Sequence, residues 1–401
     1  MFLIREAKPV DLEPLLKLAK TVHFTNLPAS REGVSERIQW SQKCFREKTP
    51  AVGLGRADAT WNGLRGVVAR GVGGAGGISP HYMFVIEDTT MRQAVGTSAI
   101  IAEMGNPGNP NVALQLRRRE MFSKDLHAGQ GHTTAQVVFD ENGPTELGGL
   151  IIGGSFRGAR LGRQISYVRF HFIGLHRERF KDRLLAEMMG VAPDGHSPFW
   201  DAFGRRFINL SFIEADLFCQ KSREFMLSLL PREEIYLTLL PPEARAVLGK
   251  VGPETAPARK MLESLGFKSH DRIDPFDGGP HLEAQTEQVE IVRSTRWGEV
   301  GGTIAPGKGR QMGFVSVDAA VNPEEPFRCV LTEYSESRDG SAVLLPADTL
   351  AVLGADGGAS IGLTPMPDPP RAAEHPTRKA AAGRRRGASA AARKVRKKAA
   401  K

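Results

Sequence analysis

The chain has 401 residues, of which 41% are hydrophobic and 25% charged, as in ordinary globular proteins. No segment approaches the roughly 18 consecutive apolar residues of a membrane-spanning helix. Charged residues already stand at positions 5 and 6, which leaves no apolar stretch long enough for a secretory signal. The three cysteines, Cys44, Cys219 and Cys329, have neither disulfide nor metal-ligand spacing. We therefore expect a reduced, cytoplasmic protein without a membrane segment or a metal site.

The net charge of +9 is concentrated at the C-terminus. Residues 371–401 contain twelve Lys or Arg and one acid, which gives this segment +11 and leaves residues 1–370 with −2. The basic runs at 384–386 and 393–398 are spaced by alanine and lack aromatic residues. Residues 366–401 are therefore predicted to be a disordered basic tail, which either has no dedicated partner or binds nucleic acid or another polyanion.

The first predicted elements are a strand at 2–5, a helix from residue 9 and a helix over about 31–45. Nine glycines between residues 53 and 77 leave little to build a core, so residues 51–80 are expected to be an inserted loop. Residues 82–87 and 94–102 predict a hairpin. A less regular stretch follows, and then strands at 135–139 and 147–152.

The second half of the chain begins with an amphipathic helix predicted from residue 164 to about 180. A strand or buried segment over 183–189 and helices over 241–249 and 254–265 follow. Short apolar runs in residues 291–365 predict a small β-rich appendage. Strand–helix alternation around a mostly antiparallel meander indicates the α+β class, with residues 1–290 as the main domain.

The most informative segment is the turn at 153–163, between the strand at 147–152 and the helix after it. Backbone N–H groups at the start of a helix carry partial positive charge, and glycine allows close approach, so this turn predicts a phosphate site. The expected ligands are Arg157, Arg160, Gly162 and Arg163. The alternative is a basic surface turn that only joins strand to helix.

This strand, turn and helix resemble the pyrophosphate-binding element of the acyl-CoA N-acyltransferase superfamily, whose pattern is Gln/Arg-x-x-Gly-x-Gly/Ala. Arg157 and Gly162 fit the pattern, whereas Arg160 stands where the first glycine is expected. A second element of that superfamily, an alanine-bearing helix ending in Gly-Phe, is similar to Ala258 through Phe267. The resemblance implies a mixed sheet flanked by helices.

Longer motifs are similar to those of the arginine N-succinyltransferase family and cover roughly residues 1–290. The most specific is SPFWDAFGRRF at 197–207, and shorter ones occur in the family's order at 145–147, 186–188, 214–216, 255–259 and 276–280. The resemblance implies transfer of a succinyl group from succinyl-CoA to the α-amine of L-arginine in arginine catabolism. It also implies a succinyl-CoA contact at the backbone of Leu150.

One departure from that family concerns the chemistry. The family's proton donor is a histidine in a Gly-x-Val-His-Pro run, and this chain has Gly252 at that position. Two alternatives therefore stay open. One is an acyl-CoA-dependent N-acyltransferase with a different amine or acyl donor, and the other is a non-catalytic descendant that binds CoA or a polyanion.

The remaining candidates are acids and one histidine. Glu187 lies in an otherwise apolar segment, where burial raises a carboxyl pKa, so it is a candidate general base or else a satisfied structural carboxylate. His281 is a candidate to replace the missing histidine. Four aspartates are candidates for binding a guanidinium, or are caps and turn residues: Asp201, Asp216, Asp274 and Asp277. The oligomeric state is left open, with a homo-oligomer among the options.

Overall fold

The computed structural model describes residues 1–21, 27–47 and 79–366, apart from residues 108, 159, 220, 221, 320, 322 and 339. Residues 1–367 form one compact unit. The inserted loop predicted at 51–80 lies outside the described residues except for its last two positions, and so does the basic tail beyond residue 366. Tail disorder and polyanion binding therefore stay predictions.

The described strands are β1 (Phe2–Glu6), β2 (His81–Asp88), β3 (Gln93–Ile101), β4 (Asn111–Ser123), β5 (Ala128–Asp140), β6 (Thr145–Ile152), β7 (Arg183–Glu187), β8 (Ile235–Tyr236), β9 (Lys268–Ile273), β10 (Pro280–Gln285), β11 (Arg296–Ile304), β12 (Gln311–Asp318), β13 (Phe327–Glu336), β14 (Val343–Pro346) and β15 (Ser360–Met366). The described helices are α1 (Leu12–Ala19), α2 (Arg31–Arg46), α3 (Leu161–Leu175), α4 (Pro198–Ala202), α5 (Gly204–Ile208), α6 (Phe212–Cys219), α7 (Glu224–Leu229), α8 (Pro242–Ala246), α9 (Ala256–Ser264), α10 (Glu290–Ser294) and α11 (Ala347–Leu353). None of these helices is long and apolar enough to cross a membrane.

The main sheet has the strand order β1–β2–β3–β6–β7–β10–β9–β4–β5–β8. Neighbouring strands within it are antiparallel, except that β6 and β7 are parallel. These two strands pair only at Thr145–Leu184 and Glu146–Leu185, although β6 continues to Ile152. The sheet is therefore open between β6 and β7 beyond Glu146, and we call this gap the strand opening.

Strands β11 to β15 form a second, smaller sheet in the order β12–β15–β11–β14–β13, and β13 pairs back onto β12 to close a five-stranded barrel. β13 also pairs with β1, which joins the barrel to the main sheet. This barrel is the predicted β-rich appendage. The boundary predicted at residue 290 stays a prediction, because the two sheets belong to one compact unit.

Helix α3 is the central element of the core, with eleven of its fifteen residues buried. The centroid of the Phe172 ring is 5.0–5.4 Å from the ring centroids of four aromatic residues, namely Phe45, Tyr82, Phe84 and Phe327. The buried His171 imidazole contacts the hydroxyl oxygens of Thr364 at 2.5 Å and Ser316 at 2.7 Å, both in the barrel. Burial lowers the pKa of His171 to about 3, so this link is neutral at physiological pH.

The segment after residue 102 was predicted to be less regular up to a short strand at 135–139, and this prediction is wrong. β4 and β5 are thirteen-residue strands paired along their whole length. The outer half of β4 is exposed and carries Arg117, Arg118, Arg119 and Glu120, so it lacks the apolar alternation that signals a half-buried strand. The helix predicted from 164 to about 180 also begins earlier and ends earlier, at Leu161 and Leu175.

The position of Phe172 leads to a stability prediction. Phe172→Ala is expected to lower the free energy of unfolding by about 3–5 kcal/mol, because it removes the ring at the centre of the aromatic cluster and leaves a cavity. Phe122→Ala is the matched control, since Phe122 is 68% exposed near the tip of the β4–β5 hairpin; its effect should stay within about 0.5 kcal/mol. Urea unfolding curves measure both, and equal shifts for the two variants would contradict this account of the core.

Candidate active site

The site lies at one edge of the main sheet, beside the strand opening. β6 and β7 are parallel and end there, at Ile152 and Glu187. Because the strands that follow in the sheet are antiparallel, β10 begins at this edge with Pro280, β9 ends there with Ile273 and β4 begins there with Asn111. Residues far apart in the sequence, from five adjacent strands and the loops next to them, are thus brought together.

Glu187 is half-buried and oriented from one side by a polar relay. The Asn111 amide donates from Nδ2 to Glu187 Oε1 at 2.9 Å, and Arg223 Nη1 donates to Asn111 Oδ1 at 2.9 Å. The relay fixes the Asn111 amide so that its donor faces the carboxylate. The sequence analysis missed Asn111 and Arg223. A polar residue that opens a strand was a weak signal for Asn111, and nothing in the loop before α7 pointed to Arg223.

His281 lies directly opposite Glu187 in the β10–β7 pairing. Its Nε2 atom is 3.7 Å from Glu187 Oε1, which is too long for a hydrogen bond. The residue is 2% exposed, and Nε2 has no hydrogen-bond partner within the described part of the chain. Asp274 completes the group: one side-chain ligand atom from each of Glu187, Asp274 and His281 lies within 4.8 Å of the other two.

Several buried or half-buried carboxyl groups share this region, and the charges of Arg223 and Arg37 offset only part of the rise in the pKa of Glu146. Burial, followed by the charges of nearby carboxylates, raises the pKa of Glu146 to about 8 and the pKa of Asp274 to about 7. Burial likewise raises the pKa of Asp277 to about 6, to which Glu187 and Asp216 contribute. Burial and close packing of these acids therefore favour their protonated forms in the free protein.

The predicted substrate-binding aspartates have different surroundings. Asp277 is buried, and its two oxygens accept backbone N–H bonds from Gly190 at 2.7 Å and Gly279 at 2.8 Å. It thus ties the loop after β7 to the turn before β10. Asp216, on α6, is near enough to influence the pKa of Asp277. Asp201 has other partners, His196 at 2.7 Å and Arg205 at 3.6 Å. Substrate binding by these three residues stays a prediction.

Position 252 borders the same loop. The Gly252 N–H donates to Met189 O at 3.1 Å, two residues beyond Glu187 in the chain. A Cβ atom added at Gly252 would lie 2.9 Å from the Gly190 carbonyl oxygen. A histidine here would therefore require the Gly190 backbone to move, so the chain has lost both the side chain and part of the space for it.

The predicted phosphate turn lies at the other side of the strand opening. Arg163 and Gln164 N–H groups donate back to Arg160 O, which leaves the N–H groups of Leu161 and Gly162 at the start of α3 without intrahelical partners. Arg160 has a φ of +57°, in the left-handed region that glycine adopts readily. The residue that replaces the expected glycine has therefore kept the backbone conformation of a glycine.

The arginines of the turn are held differently from one another. Arg157 is exposed and forms an ion pair with Glu254 at 3.1 Å, just before α9. Arg160 is exposed. Arg163 turns back along α3, with its guanidinium carbon 5.0 Å from the centroid of the Tyr167 ring. Arg157 and Arg160 are thus accessible to an anion, whereas Arg163 is partly engaged in packing.

Leu150 lies in a β-bulge on β6. The pairing with β3 shifts register between Thr97–Ile151 and Ala99–Gly148, and Gly149 has a φ of +62°. The bulge releases the backbone of Leu150 from the regular ladder next to the strand opening. The buried Arg169 of α3 donates to the Gly148 carbonyl at 3.2 Å and so supports the bulge from below.

A cleft between β4, β5, β7, β9 and β10 reaches the site from the β4–β5 side. Asn111 and His281 line it at the site, and three charged residues line it farther out, namely Asp140, Arg272 and Glu283. Arg183 joins these three in one ion-pair network. The cleft therefore has polar walls along its approach to Asn111 and His281.

Comparison with known proteins connects this geometry to a family. Residues 76–291 match the model of the arginine N-succinyltransferase beta subunit. An arginine N-succinyltransferase from Enterobacter sp. (strain 638) is 34% identical over 313 residues, which are 77% of this chain and 83% of that protein. Another, from Escherichia coli (strain 55989 / EAEC), is 31% identical over 367 residues, covering 90% of this chain and 97% of its own length.

A solved structure has the same fold. Subunit AI of the arginine/ornithine succinyltransferase from Pseudomonas aeruginosa superposes with a TM-score of 0.71 at 26% identity, over 91% of this chain and 98% of that chain. The predicted fold class is confirmed, and so is the predicted family. The chain belongs to the arginine N-succinyltransferase family.

Proposed function

We propose that this protein transfers the succinyl group of succinyl-CoA to the α-amine of L-arginine. The observation that carries the proposal is the position of Glu187, a carboxylate oriented by Asn111 at the strand opening, across from the turn that has the family's pyrophosphate pattern. In this family the acyl donor is a CoA thioester. Family membership makes the protein an acyl-CoA-dependent acyltransferase, and the residue roles below are our own proposals.

The reaction needs two proton transfers. Glu187 accepts one proton from the α-ammonium, and the neutral nitrogen attacks the thioester carbonyl while a C–N bond forms. The C–S bond then breaks, and the second proton of the nitrogen goes to the leaving sulfur. His281 lies 3.7 Å from Glu187 Oε1 and is the described group best placed to pass this proton. The backbone N–H of Leu150 is our candidate to polarise the carbonyl oxygen.

The carboxyl groups around Glu187 favour a cationic acceptor. Their pKa values stay raised by burial and mutual repulsion, although neighbouring arginines and backbone N–H groups offset part of the rise. L-Arginine carries an ammonium and a guanidinium, and both match carboxylate partners. The donor's pyrophosphate would lie on the other side of the opening, at the N–H groups of Leu161 and Gly162 and the exposed side chains of Arg157 and Arg160.

Two further proposals are independent of the chemistry. The basic segment 371–401 contacts a polyanion, and the protein functions in the cytoplasm. The charge of the tail supports the first proposal, and the scattered cysteines support the second. The oligomeric state stays open.

The central test is release of CoA thiol by the purified full-length protein. Turnover is expected with succinyl-CoA and L-arginine, and Glu187→Gln should lower kcat by about a hundredfold or more because glutamine cannot accept the proton. The KM for succinyl-CoA should change little. Glu120→Gln is the matched control, since Glu120 lies on the exposed outer half of β4.

Two outcomes would count against these assignments. Absence of turnover with every combination of succinyl-CoA or acetyl-CoA with L-arginine or L-ornithine would overturn the transferase. A Glu187→Gln protein as active as the wild type would overturn the base while leaving the transferase intact.

The phosphate turn can be tested at Arg160, where two variants distinguish the effect of the side-chain charge from the effect of the left-handed backbone. Arg160→Gly and Arg160→Ala both remove the guanidinium, so each should raise the KM for succinyl-CoA several-fold at low salt, and less at high salt. Alanine, unlike glycine, is disfavoured in the left-handed conformation of this position. The free energy of unfolding of the glycine variant should therefore exceed that of the alanine variant by about 1 kcal/mol. An unchanged KM in both variants at low salt would argue against a phosphate contact.

The acids of the site predict that binding of L-arginine is linked to pH. A bound cation favours the ionised carboxylates, so binding lowers their pKa values and releases protons. With pKa values of about 8, 7 and 6 for Glu146, Asp274 and Asp277, affinity should rise from pH 6 to pH 8. Calorimetry in two buffers of different ionisation enthalpy should report proton release. Proton uptake, or an affinity that falls over this range, would contradict a cationic ligand at these acids.

A further inference from the structure

The group formed by Glu187, Asp274 and His281 has an open centre. Each residue supplies one ligand atom within 4.8 Å of the other two, yet Glu187 Oε1 and His281 Nε2 are 3.7 Å apart and do not bond to each other. His281 is 2% exposed, and its Nε2 has no hydrogen-bond partner within the described part of the chain. A buried imidazole nitrogen that faces two carboxylates without a partner is costly unless a ligand supplies one.

The chemical types of the three groups indicate what that ligand is. All three can accept hydrogen bonds, the histidine when its proton is on Nδ1. An alkylammonium donates three hydrogen bonds of about 2.8 Å in roughly tetrahedral directions, which places its acceptors about 4.6 Å apart. The three ligand atoms lie within 4.8 Å of one another, and the Glu187–His281 pair is closer, at 3.7 Å. One nitrogen can therefore lie within about 2.8 Å of all three.

The backbone holds the three groups in place without help from a ligand. Glu187 ends β7, and His281 is its direct partner on β10. Asp274 follows β9, and its Oδ1 accepts the N–H groups of Phe276 at 2.7 Å and Asp277 at 3.3 Å. Oδ2 of Asp274 accepts no N–H group of the described residues, so one oxygen positions the turn and the other remains available to a ligand.

We infer that Glu187, Asp274 and His281 form a three-point binding site for the reacting α-ammonium of the acceptor, with Asp274 as a substrate-positioning residue. This inference depends on the proposed acyl transfer for its meaning, because the nitrogen bound here is the one that attacks the thioester. Glu187 takes the proton, and Asp274 and His281 hold the nitrogen beside the strand opening. A guanidinium would occupy a different position, farther along the acidic region.

Asp274→Asn tests this inference with little disturbance of the fold. Asparagine keeps the side-chain oxygen that accepts from Phe276 and Asp277 but loses the charge. In the full-length enzyme the KM for L-arginine should rise about tenfold to a hundredfold, because a charge-assisted hydrogen bond is lost. The KM for succinyl-CoA should stay within about twofold. Asp125→Asn is the matched control, since Asp125 is exposed in the turn between β4 and β5, and it should change neither constant.

A second ligand shows whether Asp274 binds the α-ammonium or the side chain of the amino acid. L-Citrulline has the same α-ammonium as L-arginine but a neutral side chain, so Asp274→Asn should weaken binding of both compounds by the same factor in calorimetry without succinyl-CoA. A loss confined to L-arginine would overturn the inference and make Asp274 a guanidinium ligand. A stoichiometric zinc ion retained by the wild type and lost from Asp274→Asn would also overturn it.

The experiments distinguish a failure of the proposed ammonium site from a failure of the proposed reaction. If the wild type binds L-arginine in an Asp274-dependent way but does not turn over with any donor, the ammonium site stands and the transferase fails. If the wild type turns over and Asp274→Asn has unchanged constants, the transferase stands and the ammonium site fails.

Discussion

The arrangement of the site depends on the separation of β6 and β7 after two paired residues. If these parallel strands continued to pair, their facing N–H and C=O groups would be bonded to each other and no ligand could enter between them. The separation leaves the bulge at Leu150 on one side and the Glu187 carboxylate on the other. Helix α3 makes this possible, because it packs under the opening and Arg169 bonds to the Gly148 carbonyl.

The second constraint is the cost of the buried acids. A carboxylate removed from water without a cation is destabilising, and this chain places several around one sheet edge. The protein satisfies some of them fully, as with Asp277 and its two backbone donors, while Glu187 is only partly satisfied through Asn111. In the proposed complex, a substrate with two positive charges would offset the repulsion among the ionised acids and would bind more tightly for that reason.

The sequence predicted the parts of the site that depend on local pattern. The strand–turn–helix around Arg157 and Gly162 was identifiable because glycine spacing, a preceding apolar strand and a following amphipathic helix are local features. Asn111 and Arg223 were missed because their role depends on the order of strands in the sheet, which brings the start of β4 next to the end of β7. The outer half of β4 was missed because cross-strand hydrogen bonds, not apolar side chains, hold it.

The two departures from the family pattern have opposite physical consequences. At Arg160 the side chain changed but the left-handed backbone was kept, so the N–H groups that a phosphate would use keep their positions. At Gly252 the side chain that carries protons is gone, and the Gly190 carbonyl lies where its Cβ would need space. In the proposed mechanism the proton function comes from a neighbouring strand. His281 is on such a strand, directly opposite Glu187, so the same sheet edge offers a histidine from β10 in place of one from the loop before α9.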